Sequence, residues 1–105
     1  MDRAAINREL ESITSRLVSC YKPEKIILFG SAAWGNDAVN DIDLLIVKED
    51  VPHFGADRMM ELYHLMKVDV PVDYLIYKPG EVSERLSMGD PFMKRVFEKG
   101  RLLYG

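Results

Sequence analysis

The chain has 105 residues, 48% of them apolar and 10% aromatic, with a formal net charge of −3. That is enough for one domain, residues 1–105, with a modest core. The composition argues against a disordered segment, and the charge balance lacks the basic footprint of a general nucleic-acid binder. The single cysteine, Cys20, excludes an internal disulfide or a cysteine metal centre and fits a reducing compartment. Apolar runs fall far short of a membrane span and the N-terminus has no signal-peptide core, so a cytoplasmic protein without membrane contact is expected.

In "INRELESITSRLVSCY", Ile6, Leu10, Ile13 and Leu17 recur at helical spacing, which predicts a helix over 2–20, broken by Pro23. "EKIILFG" reads as a buried strand ending at Gly30, "SAAWG" as a short helix or tight turn, and "NDAVN" as polar loop. "DIDLLIV" is a second strand, and "KEDVPHFG" a turn around Pro52 and Gly55. Residues 56–68 place Met59, Leu62, Tyr63 and Met66 on one face of a second long helix. "PVDYLIY" gives a third strand from about Pro71. "PGEVSERLSMG" suits a short helix with proline in its first turn. "DPFMKRVFEKG" suits another, with Asp90 as N-cap, Pro91 at the first position and Gly100 as the stop. "RLLYG" adds a short terminal strand. The expected class is α/β (α+β), a small mixed β-sheet flanked by helices.

Two aspartates interrupt this pattern. Asp41 and Asp43 are separated by one residue, so in an extended chain they share a face, with α-carbons roughly 6.5–7 Å apart. Ile42 and Leu44 then point to the core. Paired carboxylates at the start of a buried strand repel each other and lose hydration. A metal ion removes both difficulties, and hard oxygen ligands favour Mg²⁺ shared with substrate phosphates. Upstream, Gly30-Ser31 offers a backbone that can approach a phosphate closely, with the Ser31 N–H and hydroxyl facing it if Ser31 opens a helix. Two metals need a further ligand. Asp73, inside "VDYLIY" and opposite in direction to Val72 and Tyr74, is the expected third carboxylate, buried and needing a partner. Asp69 is the rival, placed in the connecting loop.

"FGSAAWGNDAVNDIDLLIV" followed by "VDYL" resembles the nucleotidyltransferase motif of the DNA polymerase β superfamily: Gly-Ser, a spacer of about ten residues, Asp-x-Asp, then a distant Asp among apolar residues. The small size and the ending "GDPFMKRVFEKGRLLYG" are similar to the minimal nucleotidyltransferases that pair with HEPN-domain proteins in toxin–antitoxin systems. The resemblance spans nearly the whole chain. It implies a polymerase β-like nucleotidyltransferase fold, two Mg²⁺ ions and ATP as the nucleotide. Gly30 and Ser31 would hold the triphosphate, and Asp41, Asp43 and Asp73 would bind metal and carry catalysis. It also implies AMP transfer to a hydroxyl on a HEPN-type ribonuclease toxin, with no direct nucleic-acid binding and room for a homo-oligomer. Many relatives have "GSxARG"; this chain has "GSAAWG", with Trp34 in the usual arginine position.

Each feature also has a plain structural reading. Asp-x-Asp alone could be a solvated strand start, Gly-Ser an ordinary turn, and Asp73 a surface position on an edge strand. Trp34 reads as packing or a partner contact, His53 and His64 as surface, and Met59, Met60 and Met66 as core or adaptable interface. Asp37 and Lys48-Glu49-Asp50 read as solvated loop. The alternative function is a binding module that neutralises a HEPN partner by docking, with Trp34 as the feature favouring it.

Overall fold

Asp2 caps the first helix, its carboxylate accepting from Ala5 N–H at 2.8 Å, as a short acidic side chain does for an orphan first-turn donor. α1 runs Arg3–Arg16 and buries Ile6, Leu10 and Ile13. The path continues to Tyr21, but as a wider π turn over Leu17–Tyr21, closed by Lys22 in the left-handed region (φ 57°). In this computed structural model the described residues are 2–34, 41–68 and 70–105. The loop expected around Asp37, and Asp69, lie outside them.

β1 (Lys25–Phe29) leads into a 3₁₀ turn, Gly30–Ala32. β2 (Ile42–Val47) follows, then α2 (Gly55–Leu65), β3 (Val72–Tyr77), α3 (Pro79–Ser87), α4 (Pro91–Lys99) and β4 (Arg101–Tyr104). Asp90 caps α4 through Phe92 and Met93 N–H groups, with Pro91 first and Gly100 last, as the sequence indicates. α2 stops short of residue 68 because Met66 turns extended (φ −107°, ψ 119°).

Among the described residues, four strands form one mixed sheet in the order β3-β2-β1-β4, flanked by four helices. β1 pairs antiparallel with β2 and β4, and β2 pairs parallel with β3. Alternation then sorts the strand side chains onto two faces. Ile26, Leu28, Ile42, Leu44, Ile46 and Tyr74 join α1 and Leu62 of α2 in one core. Ile27, Phe29, Leu45 and Val47 join Val82 of α3 and Met93 and Val96 of α4 in the other. β2 is therefore apolar on both faces, as a central strand covered by helices should be.

Arg58 is the buried charge of α2, 4% exposed. It donates to Pro52 O (2.6 Å), His53 O (3.1 Å) and Ile76 O (3.0 Å), and it pairs with Glu81 at 2.7 Å. Tyr63, on the same helix face as Leu62 and Met66, lies partly in solvent, but its hydroxyl donates to Val72 O at 2.7 Å. β2 takes the Pro71 and Tyr77 carbonyls of the neighbouring strand, so alternation leaves those of Val72, Tyr74 and Ile76 on the outer edge of β3. α2 thus covers two of the three with side-chain donors.

Candidate active site

The parallel register sets Asp43 directly beside Asp73, and the antiparallel register sets Phe29 on the other side of Asp43. Both aspartates begin their strands on the face shared with α3 and α4, ahead of Leu45 and Leu75. Asp43 is half-buried and Asp73 exposed. Burial lifts the Asp43 carboxyl above its ordinary range. The negative charge of Asp73, a hydrogen bond with that carboxyl and the charge of Asp41 lift it further. Each cause disfavours the ionised form.

Asp73, expected to be buried, is exposed instead. Val72 and Tyr74 do point inward, at 5% and 0% exposure, but β3 is an edge strand, so its opposite face at residue 73 opens to solvent. What Asp73 gains is proximity to Asp43. Asp41 stands just before β2, exposed, close enough to act on Asp43 electrostatically. Among the described residues, no three His, Cys, Asp or Glu side chains already form a metal-holding group. Two of the expected carboxylates are thus brought together, with the third at hand. The donor set is oxygen only and its like charges repel, which suits a hard divalent cation.

Gly30 borders the pair. Its φ is +72°, and a Cβ there would run into Oδ2 of Asp43. Only a residue without a side chain lets the end of β1 pass this close to the carboxylate. Ser31 is half-buried in the 3₁₀ turn, which has three residues. That is too short for a helix dipole, so the expected helical anion cradle reduces to local N–H groups and the Ser31 hydroxyl. Arg3 holds the turn to α1, donating to Ala32 O at 2.6 Å. The histidines are exposed, as expected, and Met59 is half-buried, Met60 exposed and Met66 buried.

A groove of about 790 Å³ lies elsewhere, lined by residues of α2, β3 and α3 including Arg58, Glu81 and Arg85. Its principal charges are spent on ion pairs, Arg58 with Glu81 and Arg85 with Asp90.

The sequence model of a family described as nucleotidyltransferase domain matches residues 8–104. Comparison with curated proteins returns no match. Among solved structures, the fold matches a candidate nucleotidyltransferase from Sulfolobus solfataricus with a TM-score of 0.61. The two are 24% identical over 90% of this chain and 78% of that one.

Proposed function

Because the chain belongs to the nucleotidyltransferase domain family, we propose that it transfers a nucleoside monophosphate, AMP from ATP, to a hydroxyl of a partner protein, acting as antitoxin to a HEPN-type ribonuclease. The observation that carries this reading is the Asp43–Asp73 carboxyl pair against the side-chain-free backbone of Gly30. The acceptor oxygen attacks the α-phosphorus in line. The new O–P bond forms as the bond to the β-phosphate oxygen breaks, and pyrophosphate leaves. Asp73, open to solvent, accepts the hydroxyl proton and passes it to water. Gly30 and Ser31 present backbone N–H groups and a hydroxyl to the phosphates. Asp41, Asp43 and Asp73 would hold Mg²⁺, which would supply Lewis acidity toward the acceptor hydroxyl and the leaving oxygens.

Docking without chemistry is the second reading, favoured by the exposure of Trp34 (38%) and Met60 (54%), since aromatic and Met side chains are enriched in interfaces. The double variant Asp41→Ala/Asp43→Ala separates the two. Parent and variant are incubated with a HEPN ribonuclease, ATP and Mg²⁺, and the partner's mass and ribonuclease activity are read. A partner heavier by one or more AMP units and inactive with the parent alone supports transfer. Full neutralisation by the variant with no mass change would establish docking.

A further inference from the structure

Trp34 ends the turn that Gly30 begins, its backbone N–H donating to Gly30 O at 3.1 Å. Its indole N–H reaches the last carbonyl of α4, Lys99 O, at 3.0 Å. That bond fixes the ring one helical turn from Arg95, whose guanidinium carbon lies 4.3 Å from the ring centroid. A guanidinium stacks well on an indole face. Stacking orients the group but uses none of its five N–H donors. Among the described residues, no carboxylate pairs with Arg95 and no acceptor takes those donors.

The other end of α4 is tied to the carboxylates. Phe92 meets Phe29 edge-on at 5.4 Å, and Phe29 is the strand partner of Asp43. Contacts therefore run from Asp43 through Phe29 and Phe92 along α4 to Arg95, and back through Trp34 to Gly30. Through Trp34 the guanidinium is linked to the turn that carries Gly30 and Ser31. Lys94 and Lys99 are exposed near it, with Glu98 as the acid among them, along a groove of about 780 Å³. A chain whose net charge is −3 thus gathers positive charge along α4.

We infer that Arg95, oriented by Trp34, binds the terminal phosphates of the nucleoside triphosphate and holds the pyrophosphate as it departs. The identity of the anion rests on the nucleotidyl-transfer reading; the anion site itself does not. With the α-phosphate over the carboxylates, charge repulsion drives the rest of the tail away from them, toward the basic face of α4. The planar fork of arginine matches phosphate oxygens two at a time. Trp34 is a positioning residue, acting on the anion through Arg95.

The test is calorimetric titration of inorganic pyrophosphate, ATP with Mg²⁺, and AMP against the parent, Arg95→Ala, Arg95→Lys, Trp34→Ala and, as a control for lost charge, Lys67→Ala. Arg95→Ala should weaken pyrophosphate and ATP about tenfold, the loss of one charge-assisted contact, and leave AMP unchanged. Arg95→Lys should recover only part, because an ammonium lacks the fork. Trp34→Ala should weaken the same two ligands, and Lys67→Ala neither. Trp34→Arg added to Arg95→Ala should restore affinity, since it puts a guanidinium back beside the same groove. Equal affinities for pyrophosphate and ATP in parent and Arg95→Ala would overturn the inference. A parent that binds pyrophosphate through Arg95 but never ATP would keep the anion site and remove the nucleotidyl-transfer reading.

Discussion

Replacing Gly30 by alanine probes the closest approach in the site. Two separate penalties are expected. The first is conformational: φ of +72° costs an L-residue with a side chain about 1–2 kcal/mol. The second is steric, because the new methyl group meets Oδ2 of Asp43, with Cγ at 3.3 Å and Cβ at 3.5 Å behind it. Forcing that carboxylate aside, against Asp73 on the neighbouring strand, costs a further 1–2 kcal/mol or so, the range of mild overpacking. Together they come to about 3 kcal/mol, which for a domain this size lowers Tm by roughly 12–20 °C. The two penalties separate in an Asp43→Ala background. There Oδ2 and Cγ are gone and the remaining Cβ contact is ordinary, so Gly30→Ala should cost only the conformational part. Urea unfolding of the four proteins in the cycle gives the coupling, expected at about 1–2 kcal/mol. If Gly30→Ala costs the same with and without the Asp43 carboxylate, the two do not touch and the proposed packing of the site is wrong.

Two further predictions concern the pair at α2 and α3. Arg58→Met should destabilise by about 2–4 kcal/mol, measured by chemical denaturation, because it orphans the carbonyl of Ile76 and leaves Glu81 without its cation; a change below about 0.5 kcal/mol would refute that role. The Glu81 carboxyl is held down to about 2 from 4.5, first by its hydrogen bond with Arg58. Its stabilising contribution is therefore fully present above pH 4.5 and lost as pH falls toward 2. The stability difference between parent and Glu81→Gln should be constant above pH 5 and shrink through that window, read by urea midpoints at successive pH values.

Periodicity made the elements legible, because helices covering a sheet must repeat apolar residues every three or four positions and the strands every two. The same logic put Asp43 and Asp73 in their strands. It did not reveal that Asp73 lies open, since nothing local distinguishes an edge strand from an inner one when the covered face carries Val72, Tyr74 and Ile76. Arg58 was equally hidden. In its own helix it reads as a polar residue, and its burial follows from Ile76 and Glu81, 18 and 23 positions away. The Trp34–Arg95 stack joins residues far apart in the sequence. The departure at Trp34 was visible in the sequence, but the cation beside it emerges only when α4 packs across the end of β1.

The side-chain cover that Arg58 and Tyr63 give to β3 has a bearing on how copies of this chain could grow together. An incoming strand at that edge would have to break two bonds to carbonyls before making its own, so the edge is guarded in the way natural sheets avoid unwanted pairing. β4, at the other end of the sheet, carries exposed Leu102 and Tyr104. The sheet therefore has a direction: its edge on the side that bears the carboxylates is guarded at two of three outer carbonyls, and strand addition would meet less resistance at β4, away from them.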